Sequence, residues 1–496
     1  MPRDSTSIIL HRHEPELQVF LVLRSPDLKF FGGYHAFAGG RREPGDELVP
    51  LAAAGSMSTS RRASIGCGVR ELFEETGILT IPEPGLDADL ATELRERLID
   101  GGDGTELVSA LRERGLEVDA SRWIEAARLI TPRFSRIRFD TRLYFVSTIQ
   151  EPEIRAGELV SGSWWKPGDA LDAWRRGEIH LSPLALVVLR ALENHPTIAS
   201  AAAELREIPP RFEGSGHAIP WGPGTDLVPL RSRPLPASIP TTTFIVGEKR
   251  VLVIDPAPCD ADEQDHLLRA VGTRVERGHR LEAIVLTHHH VDHVGAVGKL
   301  QERFGLPVWA HPRTGDLLER RLDRELVDGA TIRLGASPDG RDGWTLRCLF
   351  TPGHAEGHLA LWDERHRALI AGDLLSTLVS MYVGSPGGHL GTYFRSLERI
   401  RRLDMRILYP SHGPPTVTPI DLIDRTLAHR TRRVEQIHGV LARGPGEVTE
   451  IAGRVYGEET DSRLRPLYER TTRAALVYLV ENERARRVGE DCFEAI

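Results

Sequence analysis

The apolar positions of this chain fall into short runs broken by turn residues. Residues 7–10 and 19–23 are two such runs around a polar turn, which predicts a hairpin leading into a sheet. At 70–78 the period changes. A helix through Arg70-Glu71-Leu72-Phe73-Glu74-Glu75-Thr76 puts Glu71, Glu74 and Glu75 at i, i+3 and i+4 on one face, with Gly77 at its end. Residues 138–145 predict a strand, 164–171 lead into a helix, and Leu181-Ser182-Pro183 opens another running to 192. Residues 208–240 are rich in proline and glycine, including Arg233-Pro234-Leu235-Pro236, and read as a linker.

Beyond it, 243–247 and 250–254 predict a second hairpin, Asp255-Pro256 a turn, 263–271 a helix, and the apolar run Ala283-Ile284-Val285-Leu286 a buried strand. Strands and helices alternate through 308–311. The last part carries helical periodicity over 421–441, 448–456 and 464–481, followed by a short hairpin.

A chain of 496 residues, at about 150 per domain, holds about three domains. Its 40% hydrophobic and 27% charged residues are those of a globular protein, and the net charge of −8 gives no overall basic field for nucleic acid. Cys67, Cys259, Cys348 and Cys492 are far apart with no paired spacing, which fits a reducing compartment. The polar start and the early break at His11-Arg12-His13-Glu14 complete neither a signal peptide nor a membrane span, so a cytoplasmic protein is expected.

The chemistry concentrates after the strand at 283–286, in Thr287-His288-His289-His290-Val291-Asp292-His293. His288, His290, Asp292 and His293 put four metal-capable side chains within six residues, more than one tetrahedral ion can share comfortably in so short a stretch, so two adjacent metals are the natural reading, and imidazole suits zinc. Further metal-capable residues follow apolar runs: His354 in Thr351-Pro352-Gly353-His354, Asp373 in Ala371-Gly372-Asp373, and His412 in Pro410-Ser411-His412. The order and spacing of these motifs resemble the metallo-beta-lactamase family. That resemblance implies His288, His290 and His354 around one Zn2+, Asp292, His293 and His412 around the other, Asp373 bridging, and Asp255 orienting the site. It also implies a four-layer αβ/βα sandwich over 241–418. His358 is expected to be structural, His289 a bystander, and Tyr393 core packing. In the lactamase-like branch with endoribonucleases and acyl-carrier-protein thioesterases, which this chain is similar to, a C-terminal winged-helix-like unit follows, here 419–496. Residues 421–496 hold 13 arginines against 14 carboxylates, a weak charge for a nucleic-acid binder.

Three carboxylates on one helix face repel unless a cation lies between them, and oxygen-only ligation favours Mg2+ or Mn2+. With the glycine-rich stretch around Gly39-Gly40, residues 70–78 resemble the Nudix box, whose family fold is an α/β/α sandwich, here over 1–205. The resemblance implies Glu71, Glu74 and Glu75 as metal ligands, Glu74 and Glu75 also acting in catalysis. Two departures stand out: Asp46 takes the place of a glutamate, and an Ala- and Ser-rich segment at 51–63 lengthens the box as a loop. The order of elements looks like the branch containing CoA diphosphatases. Glu158 is a further candidate ligand or base, or a surface residue.

These resemblances imply an α/β multi-domain chain with linker 206–240, and a bifunctional hydrolase. One centre would cleave a nucleoside-diphosphate-linked compound, CoA derivatives among them; the other, with Asp292 as catalytic carboxylate, would hydrolyse an ester or thioester. Two alternatives stay open: an endoribonuclease acting on RNA, and a zinc hydrolase regulated by a nucleotide-binding Nudix module. The sequence leaves the oligomeric state open.

Overall fold

The computed structural model describes residues 2–496 apart from 14, 56, 83–84, 103, 133, 211–216, 233–239 and 458–463. The run Arg233-Pro234-Leu235-Pro236 of the expected linker lies outside the described residues. The chain divides into two compact units, 1–223 and 224–496.

In the first unit Arg3–Arg12 pairs antiparallel with Gln18–Arg24, the expected hairpin, and parallel with Phe139–Ser147. Alternation decides what the sheet covers. Ile8 and Leu10 enter a core with Leu72 and Phe73 of the helix Thr59–Thr76, while Ile9 faces Leu186 and Leu189 of the helix Pro183–Asn194. One sheet thus has helices on both faces. Two features differ from the sequence expectation. The segment expected as a loop at 51–63 is partly helical, because Ser58 accepts a hydrogen bond from the Arg61 N–H and starts the helix at Thr59. Strands Ile219–Gly222 and Thr225–Leu230 fall in the stretch expected as linker.

In the second unit, Thr225–Leu230, Thr241–Val246, Arg250–Ile254, Arg280–Val285, Val308–Ala310 and Arg324–Glu325 lie side by side in one sheet. A second runs Thr331–Gly335, Trp344–Phe350, Leu359–Asp363, Ala368–Gly372 and Ile407–Pro410. The hairpin at 243–254 is there, with Phe244 opposite Ile254. Helices Pro419–Leu441, Val448–Tyr456 and Arg465–Glu481 follow, with a small sheet of Gly446–Glu447, Ala485–Arg487 and Cys492–Ala495. They share one core with the second sheet: Leu374, Tyr393 and Leu408 are in the same apolar cluster as Ile437, Leu476 and Phe493. Among the described residues no helix is long and apolar enough to cross a membrane.

Candidate metal centre

The strand Arg280–Val285 lies between Arg250–Ile254 and Val308–Ala310, parallel to both. Its C-terminal end, and those of Arg250–Ile254, Trp344–Phe350, Ala368–Gly372 and Ile407–Pro410, lead directly into the segments that carry the expected site residues. Asp255 starts the arrangement. Fully buried and in a left-handed conformation (φ 50°), it accepts hydrogen bonds from the Thr287 N–H (2.7 Å), the Thr287 hydroxyl (2.6 Å) and His293 Nδ1 (2.9 Å). Donation from Nδ1 leaves His293 Nε2 as the nitrogen that faces the site.

Two groups of side chains then meet. His288 Nε2 is 3.0 Å from His290 Nδ1, His354 Nε2 is 2.9 Å from the same atom, and Asp373 Oδ2 is 3.5 Å from His354 Nε2. His354 Nδ1 donates to the Tyr382 carbonyl at 2.6 Å, so its Nε2 carries a lone pair. One proton on His290 Nδ1 cannot satisfy two imidazole nitrogens, so lone pairs face one another. In the second group, Asp373 Oδ1 is 3.4 Å from His293 Nε2 and 3.2 Å from His412 Nε2, and Asp292 Oδ2 is 3.6 and 3.5 Å from the same two nitrogens. Buried His293 Nε2 and Asp373 Oδ1 have no hydrogen-bond partner among the described residues. Converging lone pairs with orphaned buried polar atoms are what a cation resolves, and the donor set fits zinc. His288, His290, His354 and Asp373 could hold one ion, and Asp292, His293 and His412 another.

The electrostatics agree with this division. Burial pushes His288 and His354 well below the usual imidazole range and His290 to about 4. Burial also opposes the charged form of His293, but Asp373, Asp292 and Asp255 outweigh it and raise its pKa well above that range. At Asp373 burial is outweighed by His412 and His293, which hold the carboxyl well below its ordinary value.

Several supporting residues carry no sequence motif. Fully buried Thr241 donates to Asp292 Oδ2 at 3.2 Å, Thr287 ties Asp255 to His288, and the Tyr382 carbonyl fixes His354. The buried run Thr241-Thr242-Thr243, polar side chains inside a strand, is the signal that could have found the first. His358 has the structural place expected of it: Nε2 accepts the Asp373 N–H at 3.1 Å and Nδ1 meets the Thr351 hydroxyl at 2.9 Å. His289 is half-buried beside the site, in neither group of candidate ligands. Tyr393 packs in the core and donates to the Leu374 carbonyl at 2.7 Å.

In the first unit Glu71, Glu74 and Glu75 lie on the last turns of Thr59–Thr76, which Gly77 ends. Arg70 pairs with Glu71 at 2.9 Å and Glu74 at 3.6 Å, and its guanidinium is anchored by buried Asp46 at 2.9 Å. Asp46 therefore acts through Arg70. Glu75 accepts the Gly39 N–H at 2.8 Å. Burial raises Glu71 to about 7, Arg70 opposing it and Glu74 adding to it; burial and then Glu71 push Glu75 well up. Glu158 is exposed and disfavours the charge on Glu74. Arg95, unmarked in the sequence, closes the helix end by donating to the Glu74 and Glu75 carbonyls at 3.0 and 3.1 Å.

Residues 235–412 match the family model of the metallo-beta-lactamase superfamily. The second unit thus contains a metallo-beta-lactamase domain, and the candidate metal centre lies within it. The chain is 29% identical over 227 residues, 44% of its length, to the beta-lactamase-like protein 2 homolog of Caenorhabditis elegans. It is 34% identical over 138 residues, 27% of its length, to a hydroxyacylglutathione hydrolase of Bdellovibrio bacteriovorus. The matched stretches span 71% and 49% of those two relatives. A beta-lactamase domain protein from Burkholderia ambifaria has the same fold over 57% of this chain and 94% of its own, at 19% identity and a TM-score of 0.50.

Proposed function

We propose that this chain is a bifunctional metal-dependent hydrolase, with a dinuclear zinc centre acting on an ester or thioester and a Nudix-type centre acting on a diphosphate. The observation that carries the first half is the convergence of His288, His290 and His354 on one side of Asp373 and of Asp292, His293 and His412 on the other. Zinc held there supplies Lewis acidity toward a carbonyl oxygen and a water that is acidic near neutral pH. The chain's own groups do the rest. Asp292, with Oδ2 held by Thr241, keeps Oδ1 to accept a proton from the attacking water, and Asp255 keeps the ring of His293 turned toward the centre. The name of the Bdellovibrio relative, a hydrolase of hydroxyacylglutathione, supports a small acylated substrate.

For the second half, the half-buried Glu71, Glu74 and Glu75 suit Mg2+ or Mn2+, which supplies charge neutralisation for a diphosphate. Glu74 and Glu75 would orient and polarise the attacking water. An acyl-CoA presents a thioester to one centre and a diphosphate to the other, which unites both halves on one substrate class. The helices and small sheet at 419–496, a winged-helix-like unit in this reading, share the metal domain's core and need no nucleic acid to explain them.

The test is a product assay of the full chain against acyl-CoA, nucleoside diphosphate derivatives and a labelled RNA, beside His290→Ala and Glu75→Ala. Thiol release lost in His290→Ala, and 3',5'-ADP release lost in Glu75→Ala, are expected. RNA cleavage abolished by His290→Ala with CoA untouched would replace the thioester reading by a ribonuclease. Nucleotide binding without turnover at the Glu75 centre would make that half a sensor.

A further inference from the structure

Arg430 lies in the middle of the helix Pro419–Leu441, one of its buried positions, with 6% of its surface exposed. A desolvated guanidinium ordinarily sits on a carboxylate, because an unpaired buried charge costs several kcal/mol. Among the described residues Arg430 has no carboxylate partner, and its Nε–H has no hydrogen-bond acceptor. What surrounds it is aromatic and cationic. Its Cζ is 5.9 Å from the ring of Tyr393, and Tyr393 and Tyr456 favour its charge. Burial and Arg433, one turn along the same helix, disfavour it and lower its pKa. Arg433 is half-buried, with its Cζ 4.4 Å over the ring of Tyr456, on which Tyr468 stacks at 4.2 Å.

Two guanidiniums at i and i+3, one buried, define a site of positive charge that the described residues leave uncompensated. We infer that Arg430 and Arg433 form an anion site for a phosphate group, inorganic or the terminal phosphate of a small phosphate ester. A phosphate carries nearly two negative charges at neutral pH and enough acceptor oxygens to take the N–H groups of both arginines. A nucleobase stacked in the same place is disfavoured, since Arg433 and Tyr468 already take up neighbours of the Tyr456 ring.

The site is separate from the metal ligands but adjoins their support. Tyr393, beside Arg430, donates its hydroxyl to the carbonyl of Leu374, the residue after Asp373. An anion that settles Arg430 therefore also settles the helix and tyrosine behind Asp373.

The experiment uses the full zinc-loaded chain with no added magnesium, at constant ionic strength. Thermal unfolding and the 31P line width are followed as inorganic phosphate, then a phosphate monoester, is added. Wild type is expected to show saturable stabilisation and line broadening by one or both, which also tells the two sources apart. Arg433→Met is expected to weaken the apparent affinity at least about tenfold, the loss of one charge-assisted contact. Arg430→Met is expected to abolish the response. His290→Ala is expected to keep it, because the metal centre is not its origin. Absence of saturable binding in wild type, or loss of the response in His290→Ala with both arginines present, would overturn the inference. So would a destabilisation of phosphate-free protein by Glu458→Gln/Glu459→Gln/Asp461→Asn as large as that by Arg430→Met, since a carboxylate of the chain would then be the partner.

Discussion

Replacing Gly40 by alanine isolates what the glycine-rich stretch does for the carboxylate face. A Cβ at position 40 would lie 2.4 Å from Glu71 Oε1 and 2.5 Å from both Cδ and Oε2. Ordinary contact begins near about 3.5 Å, so the carboxylate has to withdraw by about 1 Å. The obstacle is the end of a flexible side chain, so the fold changes by about 1 kcal/mol, the cost of an off-rotamer glutamate. The cation response is different in kind. Coordination of Mg2+ near about 2.1 Å tolerates deviations of about 0.2 Å, so a withdrawn Glu71 ceases to be a ligand. Moving a group that orients a ligand weakens metal binding by about 10–100-fold. Calorimetric titration of Mg2+ or Mn2+ into zinc-loaded wild type and Gly40→Ala reads this directly. The expected result is unfolding within about 1 kcal/mol of wild type with the isotherm shifted at least about tenfold. An unshifted isotherm would refute the assignment of Glu71 as a ligand.

Three further outcomes follow from buried polar groups. Burial, then His13, lowers His11 from 6.5 to about 4; above pH 6.5 it is neutral in both folded and unfolded chain. As pH falls from 6.5 toward 4 only the unfolded chain takes the proton, so the first unit loses about 3 kcal/mol, and His11→Leu should flatten that arm of the urea midpoint against pH. Asp255→Ala strands the Thr287 N–H, the Thr287 hydroxyl and His293 Nδ1, at about 1–3 kcal/mol each, while Asp255→Asn should fold better yet load less zinc; full zinc content in Asp255→Asn would contradict the orienting role. Asp46→Ala leaves the buried Arg70 guanidinium with the Arg41 carbonyl and the glutamates of its own helix, a loss of about 3 kcal/mol by chemical denaturation, and a change below about 1 kcal/mol would show that those contacts suffice.

The sequence made the centre of the second unit legible because each candidate ligand follows an apolar run that becomes a strand, and the residue order along the chain survives folding. His288 to His293 stand within six residues, and His354, Asp373 and His412 stand beyond strand ends that pairing then brings together. The support was not legible, because it is made by atoms without identity or by distant partners: a carbonyl of Tyr382 under His354, and Thr241 on Asp292, 51 residues away. The same holds in the first unit, where the period of 70–78 announces the three glutamates but nothing marks Arg95, some 20 residues on, as the group that closes their helix.

The differences from expectation have a common cause. The Ala- and Ser-rich segment reads as a loop because serine and glycine are poor helix formers, yet it forms the first turns of Thr59–Thr76. Besides the Ser58 cap, packing holds this helix in place: three residues beyond the segment, a Cβ on Gly66 would stand 1.8 Å from the Asp46 carbonyl, so glycine there lets the helix approach the turn that holds Asp46. Residues 225–230 likewise read as linker, with Pro229 interrupting the run, but Val228 and Leu230 are buried and the strand pairs with Thr241–Val246. In both places local propensity is outweighed by a neighbour far along the chain. In both, that neighbour leads to a metal-capable carboxylate: Asp46 through Arg70 to Glu71, and Thr241 to Asp292. The residues that a local reading assigns to connections are therefore the ones that fix how those carboxylates are held.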